Sequence, residues 1–252
     1  MSSSGIRRRA AILEIIAGEG FADIPRLRRE FGCSEATLRR DLEQLKQAGH
    51  LHRMRGGAIA NGTGELPFTT KLGEMAEAKR RIAAVAVGLI QDGQAIGFTG
   101  GTTTLQVARQ LTARTGLTVV TNALTIAMEL ARSSVRTIVT GGELRGQTYE
   151  LVGPLAEPAI SQIHLDLVFV GVDGFSVPGG LTTHNPIEAR INRVLVDRSS
   201  RVVVVCDHTK LGCKTFAQIA PITLVDVLIT DDGAEKDIIC ELKEQGLYVI
   251  TA

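Results

Sequence analysis

From about residue 77 to the C-terminus, short apolar segments alternate with segments of helical periodicity, and this alternation narrows the possible folds more than any other feature. Helices are predicted between most of the strands. Strands that are apolar along their whole length are typical of a parallel sheet covered by helices on both faces. The predicted strands are "QAIGF" (94–98), "LTVVT" (117–121), "RTIVT" (136–140), "DLVFVGV" (166–172), "RVVVVC" (201–206), "VDVLIT" (225–230) and "LYVIT" (247–251). The sequence therefore predicts an α/β domain over residues 77–252.

Polar and glycine-rich segments follow five of these strands. Ligands of open α/β sheets bind at the carboxyl ends of the strands. Five polar loops at corresponding strand ends therefore predict a pocket there. The five segments are "TGGTTT" (99–104), "TNAL" (121–124), "TGGELRG" (140–146), "GVDGF" (171–175) and "CDHTK" (206–210).

The first of these loops, within "IGFTGGTTTLQVARQL" (96–111), has the composition of a phosphate-binding loop. Gly100 and Gly101 lack side chains, so their backbone can approach an anion closely. Thr102, Thr103 and Thr104 then place N–H groups and hydroxyls at the positive end of a helix. No lysine follows the glycines as a Walker loop requires, and the spacing is not GxGxxG. A phosphomonoester fits better than a nucleotide, and the alternative is a glycine turn with a threonine helix cap.

The segment "THNPIEARINR" (183–193) supplies further candidate ligand contacts. His184 and Glu188, together with Asp173 and Lys210 from other loops, are able to converge on the hydroxyls or the carbonyl of a sugar. Each has a simpler alternative: Glu188 favours the N-terminus of its own helix, and Lys210 is a solvated surface charge.

The first 60 residues have a different organisation, in which three helical segments precede a short hairpin. "DIPRLRREFG" has Asp23 as a capping residue and ends at Gly32, and "CSEATLRRDLEQLKQAG" begins at Ser34. Two helices joined by a short turn that contains glycine match a helix-turn-helix. The following "HLHRMRGGAIA" (50–60) predicts a two-stranded wing.

The second helix of this pair has the two faces expected of a recognition helix. Leu38, Leu42 and Leu45 lie on one side and are predicted to pack inward. The N-terminal half of a recognition helix contacts base edges and phosphates, and the wing contacts phosphates. The alternative is an ordinary amphipathic helix with solvated arginines. The predicted DNA contacts are Ser34, Ala36, Thr37, Arg39, Arg40, Arg53 and Arg55.

Charge and composition agree with this division. Residues 1–60 contain 11 Lys and Arg against 7 Asp and Glu, a balance of +4, whereas the other 192 residues contain 17 against 20, a balance of −3. A basic N-terminal segment favours a polyanionic partner. The longest apolar run has nine residues (82–90), so we predict no membrane association and a cytoplasmic protein. The four cysteines lack zinc-site spacing and are predicted to be buried or half-buried thiols, and no metal or cofactor is expected.

The segment "SEATLRRDLEQLKQAGHLHRMRGGAI" resembles the signature of the DeoR family of bacterial sugar-metabolism repressors, which includes the glycerol-3-phosphate repressor. The resemblance extends nearly to the C-terminus. It implies a winged helix-turn-helix at residues 1–60, a linker at 61–76 and a sugar-phosphate sensor at 77–252. In the sensor, it implies the fold shared by ribose-5-phosphate isomerase and glucosamine-6-phosphate deaminase.

Within the sensor, the resemblance implies that the segments matching "TNAL", "VDG", "THN…E" and "DHTK" line the effector pocket. The strand-end loops and the resemblance together give one predicted effector site. Its members are Thr99, Gly100, Gly101, Thr102, Thr103, Thr104, Thr121, Asn122, Asp173, His184, Glu188 and Lys210.

The expected function is that of a transcriptional repressor that a phosphorylated sugar, such as a hexose or amino-sugar 6-phosphate, releases from duplex operator DNA. Because one head covers little DNA, a homo-oligomer (dimer or tetramer) is expected. The alternative is a sugar-phosphate isomerase or deaminase that uses Asp173, His184, Glu188 and Lys210, although such an enzyme has no evident need of the N-terminal module.

Overall fold

The computed structural model describes residues 3–19, 21–48, 50–54, 56–60 and 65–252. The chain divides into two compact units between Lys71 and Leu72. This division falls inside the segment predicted as a linker.

The N-terminal unit contains three helices and a small antiparallel sheet. Its strands are ordered β1–β3–β2. The elements are α1 (Ser3–Glu19), β1 (Phe21–Asp23), α2 (Ile24–Phe31), α3 (Glu35–Gln47), β2 (Leu51–Met54) and β3 (Gly57–Ala60), followed by α4 (Phe68–Gly73).

The predicted capping residues begin and end the second and third helices. The Asp23 side chain accepts a hydrogen bond from the backbone N–H of Arg26, and Gly32 ends α2 in the left-handed conformation. The Ser34 hydroxyl accepts from the N–H of Thr37 at 3.3 Å and so begins α3. Leu38, Leu42 and Leu45 are buried as their spacing predicted. The helix-turn-helix is therefore confirmed.

The wing has three strands instead of the two predicted. Strand β1 pairs with β3, which places the ring of Phe21 and the carbonyl of Ala22 against Gly57. A β-carbon at Gly57 would lie 2.8 Å from that ring, so this position requires glycine. A three-residue strand has too little periodicity to be recognised in a sequence.

The C-terminal unit is built on a seven-stranded parallel sheet with strand order β15–β14–β12–β9–β4–β5–β6. All seven of its strands were predicted. They are β4 (Ala95–Phe98), β5 (Thr118–Thr121), β6 (Arg136–Val139), β9 (Leu167–Val170), β12 (Val202–Val205), β14 (Val227–Thr230) and β15 (Tyr248–Thr251). Its helices are α5 (Ala76–Val87), α6 (Thr102–Arg109), α7 (Leu124–Leu130), α8 (Glu157–Ser161), α9 (Pro186–Asp197) and α10 (Lys236–Glu244), with two 3₁₀ turns at His208–Lys210 and Ile222–Leu224.

The centre of this sheet is its most apolar part. Every residue of β9 and β12 is buried, and the rings of Phe98 and Phe169 stack with centroids 5.2 Å apart. Strands with both faces covered are under the same burial constraint at every position, so they are apolar throughout.

The direction of the chain through the sheet reverses between β4 and β9. From β4 the chain adds β5 and β6 on one side, and it then adds β9, β12, β14 and β15 on the other. Connections leave the sheet in opposite directions at such a point and open a crevice at the carboxyl ends of the two strands. The loop at 99–101 leaves β4 at this point, and Gly171 follows β9.

Two smaller sheets accompany the main one. Strands β7 (Glu143–Arg145) and β8 (Glu150–Val152) form an antiparallel hairpin. Strands β10 (Gly174–Ser176), β11 (Gly180–Thr183) and β13 (Ala217–Ala220) form a three-stranded sheet with order β10–β11–β13. The sequence predicted none of these five strands.

No helix within the described ranges is long and apolar enough to span a membrane.

The four cysteines are free. Cys206 is buried and Cys33 half-buried, as predicted, but Cys213 and Cys240 are exposed, so the prediction was wrong for those two. Burial raises the pKa of the Cys206 thiol well above its ordinary value, and this side chain stays protonated.

Candidate functional site

The outer face of α3 presents a set of predicted DNA contacts to solvent. Ser34, Ala36, Arg39 and Arg40 are exposed, and Thr37 is half-buried. Ser34 caps the helix, and its hydroxyl also lies 2.9 Å from that of Thr37. Arginine is the residue that most often reads guanine in the major groove. This face therefore has the shape and the side chains needed to contact duplex DNA.

The other predicted arginine contacts differ in their surroundings. Arg39 forms an exposed ion pair with Glu35 at 2.6 Å, a kind of pair that contributes little to stability. Arg53 donates from Nη1 to the backbone carbonyl of Arg39 at 3.0 Å, so it joins the wing to α3. Arg55, the seventh predicted contact, lies outside the described residues.

A partly buried ion pair, which helical periodicity does not predict, joins α3 to α1. The carboxylate of Asp41 accepts from Arg8 Nε at 2.6 Å and from Arg9 Nη1 at 3.2 Å. Asp41 is buried on the same side of α3 as Leu38 and Leu42. Its hydrogen bond raises the pKa of the Arg8 guanidinium above the ordinary value.

In the C-terminal unit, the glycine loop after β4 lies at the carboxyl end of the sheet, where the strand order reverses. The Thr99 hydroxyl accepts a hydrogen bond from the N–H of Gly171 at 2.9 Å, which joins the ends of β4 and β9. Gly101 is the N-cap of α6 with φ of 137°, a conformation that other residues rarely adopt. The first N–H groups of α6, at Thr102 and Thr103, have no partner within the helix.

Several threonine hydroxyls predicted to contact the effector are engaged by the backbone. Thr104 donates to the carbonyl of Gly101 at 2.9 Å. Thr121 donates to the carbonyl of Phe98 and accepts from the N–H of Ala123. These two side chains stabilise the conformation of the loops. Any effect of their hydroxyls on binding would therefore be indirect, through the positions of the backbone groups.

The space beside Gly100 is filled by a side chain that was not among the predicted site residues. A β-carbon on Gly100 would collide with the carboxylate of Glu150, which comes from β8. Asn122 Nδ2 donates to Glu150 Oε2 at 3.1 Å and to the Leu151 carbonyl at 3.4 Å. Both Asn122 and Glu150 are buried. The absence of a side chain at Gly100 thus admits a carboxylate of the protein itself.

Glu188 is surrounded by hydrogen-bond donors of the protein. It lies in the first turn of α9, near the start of the helix as predicted, and its side chain is 2% exposed. Arg145 Nη1 donates to Glu188 Oε1 at 2.7 Å, and the hydroxyl of Thr148 bonds to the same oxygen. The Thr183 hydroxyl lies 3.2 Å from Glu188 Oε2 and 3.1 Å from Asp173 Oδ2. This cluster brings Asp173 and Glu188 together, while His184 is half-buried beside them in the chain.

The loop after β12 contains Lys210 and a histidine with a fixed ring. Lys210 is half-buried in the 3₁₀ turn, and His208 Nδ1 lies 2.7 Å from Asp231 Oδ2. Burial raises the pKa of Asp231, but hydrogen bonds from the His208 backbone, the His208 ring and the Gly233 N–H outweigh it and bring this pKa below its ordinary value. Asp231 therefore stays ionised and orients the ring through Nδ1.

The residues that sequence reasoning missed belong mainly to the β7–β8 hairpin. Arg145, Thr148 and Glu150 contact Glu188, Asn122 and Gly100, which are 28 to 50 residues away in the chain. Their signal in the sequence is the polar segment "TGGELRG" (140–146) at a strand end, which contains Arg145 but neither Thr148 nor Glu150.

Each of the two units matches a known domain family. Residues 8–63 match the model of the DeoR-like helix-turn-helix domain, and residues 74–232 match that of the DeoR C terminal sensor domain. The chain is 36% identical over 245 residues to the HTH-type transcriptional regulator GlpR of Haloferax volcanii, covering 96% of each chain. It is 32% identical over 248 residues to a putative aga operon transcriptional repressor of Escherichia coli O157:H7, covering 96% of this chain and 92% of that one.

Among solved structures, ribose 5-phosphate isomerase A from Methanocaldococcus jannaschii matches 54% of each chain with 17% identity and a TM-score of 0.41. A likeness this distant says nothing about activity. The two domain models together cover most of the chain, and the curated relatives match it nearly end to end. The chain therefore belongs to the DeoR family of helix-turn-helix transcriptional regulators.

Proposed function

We propose that this protein is a transcriptional repressor of a carbohydrate-catabolism operon that a phosphorylated sugar releases from its operator. The N-terminal unit binds duplex DNA through the outer face of α3. The C-terminal unit binds the effector, and the effector favours a state with lower affinity for DNA. A coupling free energy of about 1–3 kcal/mol between the two sites weakens operator binding roughly 5- to 150-fold.

The observation that carries the effector proposal is the position of the glycine loop. Gly101 opens α6 at the carboxyl end of β4, where the strand order reverses. A helix N-terminus attracts an anion through its N–H groups and its dipole. Asn122 and Asp173 lie in the segments that follow the neighbouring strands β5 and β9, and we expect them and His184 to contact the remainder of the same ligand. A hexose or amino-sugar 6-phosphate has this combination of one anion and several hydroxyls.

Repression by this mechanism requires more than one DNA-binding unit. A single head buries a modest area on DNA, whereas symmetric oligomers bind repeated half-sites. We propose a homo-dimer or homo-tetramer that assembles through the C-terminal unit. The mass in solution, measured by light scattering on the full chain, gives the number of subunits.

The alternative is a sugar-phosphate isomerase or deaminase that uses Asp173, His184, Glu188 and Lys210. Proton abstraction requires a base within hydrogen-bonding reach of the substrate. Glu188 is enclosed by Arg145, Thr148 and Thr183, which favours a positioning role over that of a base. Product analysis after incubation with sugar phosphates distinguishes the two, because turnover at ordinary enzymatic rates would support the enzyme.

The proposal is tested by a thermal-shift screen followed by DNA-binding measurements. The full chain is incubated with hexose 6-phosphates, amino-sugar 6-phosphates and the same sugars without phosphate. At least one phosphorylated compound is expected to raise the unfolding temperature and to weaken operator binding, and its unphosphorylated counterpart to do neither. If no phosphorylated sugar changes operator affinity, the proposed effector class is wrong.

Replacing Arg40 with alanine is expected to weaken operator binding by about 10-fold or more, since one arginine contact to a base is worth about 1–3 kcal/mol. Arg40 is exposed on the outer face of α3. Affinity is measured by fluorescence anisotropy on a duplex that the wild-type protein selects from a random-sequence library.

Lys46→Ala is the matched control, because it removes the same charge from the other end of α3, where Lys46 is exposed beside Glu43. It is expected to have a much smaller effect. Equal losses in the two variants would mean that net charge, not the Arg40 contact, determines affinity.

A further inference from the structure

Glu150 lies directly beside the glycine loop. Its carboxylate packs against the α-carbon of Gly100, the residue directly before the N-cap of α6. It reaches this place from β8, fifty residues further along the chain, and it is only 5% exposed. A negatively charged side chain beside the predicted anion-binding loop limits which other groups an effector can bring there.

Asn122 adds a second observation that points to a ligand. Only its amide nitrogen can donate to the Glu150 carboxylate, so the 3.1 Å contact fixes the orientation of the amide. Asn122 Oδ1 then has no hydrogen-bond partner within the described ranges, although the residue is fully buried. A buried acceptor without a partner is costly, and a donor on a ligand would remove that cost.

The two side chains thus present acceptor oxygens next to the glycine loop. Asn122 Oδ1 requires a donor, and the Glu150 carboxylate favours a donor and repels another anion. Hydroxyl and amino groups are donors, whereas a carboxylate or a second phosphate is not. The N–H groups of α6 have the opposite preference, so the crevice contains an anion-binding part and a donor-binding part side by side.

We propose that Asn122 and Glu150 form a selectivity subsite that accepts hydrogen bonds from a hydroxyl or amino group of the effector close to its phosphate. The subsite rejects phosphate esters that have a carboxylate at that place. This inference rests on the proposed function, because it takes the effector phosphate to bind at the loop of Gly101. Glu150 is then the residue that distinguishes phosphorylated polyols and amino sugars from phosphorylated acids.

The test compares two small probes that differ only at the group in question. Glycerol 3-phosphate has a terminal hydroxyl, and 3-phosphoglycerate has a carboxylate in its place. Ligand-observed NMR on the full chain measures both dissociation constants at millimolar concentrations, with inorganic phosphate as a probe of the loop alone. O-phosphoethanolamine, a shorter ester with an ammonium group and no hydroxyl, shows whether a charged donor is also accepted.

Wild-type protein is expected to bind glycerol 3-phosphate at least about 10-fold more tightly than 3-phosphoglycerate, because like charges in a partly buried site repel strongly. In Glu150→Gln, the Asn122 amide can still donate to the new side chain, so the fold is retained. In this variant the preference for glycerol 3-phosphate over 3-phosphoglycerate is expected to fall to about 2-fold or less, mainly because 3-phosphoglycerate binds more tightly. Glu143→Gln, an exposed position on the same hairpin, is the control and should keep the wild-type ratio.

An unchanged ratio in Glu150→Gln, or a wild-type preference for the acid, overturns the subsite. A different result would refute the proposed function. If wild-type protein binds neither inorganic phosphate nor any of the phosphate esters, both the proposed function and the subsite are wrong. If Gly101→Asp abolishes binding of inorganic phosphate while Glu150→Gln leaves the ratio unchanged, only the subsite is wrong.

Discussion

Gly101→Asp is expected to bind operator normally but to lose its response to the effector, with effector affinity lowered by about 100-fold, or about 2.7 kcal/mol. The new carboxylate would stand at the N-terminus of α6, where the phosphate is proposed to bind, and would repel it. The helix dipole favours this carboxylate, so the variant fills the anion position with a group that cannot leave. Effector titrations of the operator complex, followed by anisotropy, measure the loss.

Two control variants separate charge from backbone strain. Gly101→Ala meets the same unfavourable φ of 137° and brings its β-carbon to 3.1 Å from the Thr104 hydroxyl, but it adds no charge. Its effector affinity should fall much less. Gly93→Asp adds an acid at another left-handed glycine with open space around it and should respond normally. If Gly101→Asp were induced like wild type, the phosphate would have to bind elsewhere.

The parallel sheet was predictable mainly because its central strands are buried on both faces. Each position of β9 and β12 has the same apolar requirement, so the sequence marks these strands without any long-range information. Among the strands of the small antiparallel sheets, β7 is mostly exposed, whereas β10 and β11 are buried but consist mainly of glycine, serine and threonine, which are typical of loops. Too few positions repeat in them to separate a strand from a loop.

The crevice at the carboxyl ends of β4 and β9 was predictable in position but less so in composition. The loops at strand ends were identified because parallel strands bring their carboxyl ends to one edge. Which hydroxyls stay free there depends on local backbone geometry, and Thr104 and Thr121 are used by the backbone itself. The contacts of Arg145 and Glu150 depend on where a hairpin lies over the sheet, and nothing in the residues near them encodes that position.

Asp41 shows the same limit in the N-terminal unit. Helical periodicity assigns Leu38, Leu42 and Leu45 to the inner face of α3, but it gives no prediction for Asp41, which lies on the same side. Its partners Arg8 and Arg9 are more than thirty residues away on α1. A polar residue on an apolar face is recognisable as a buried pair only when its partner is known.

Asp41→Asn is therefore expected to destabilise the N-terminal unit by about 3 kcal/mol, since removing the buried carboxylate leaves two half-buried guanidinium groups without it. The side chains of Arg8 and Arg9 are 18% and 17% exposed, so water replaces little of the lost interaction. A unit of this size has a total stability on the order of 5 kcal/mol. Operator binding should consequently fall, while effector binding by the C-terminal unit stays at the wild-type level.

Hydrogen exchange of the full chain, followed by mass spectrometry on peptides from α1 and α3, measures this loss directly. The slowest amides of those helices should exchange about 100-fold faster in Asp41→Asn, and peptides from the parallel sheet should not change. Glu30→Gln breaks an exposed pair with Arg26 in the same unit and is expected to change exchange by no more than a few fold. Asp41→Asn behaving like Glu30→Gln would show that the pair between α1 and α3 contributes no more than a surface contact.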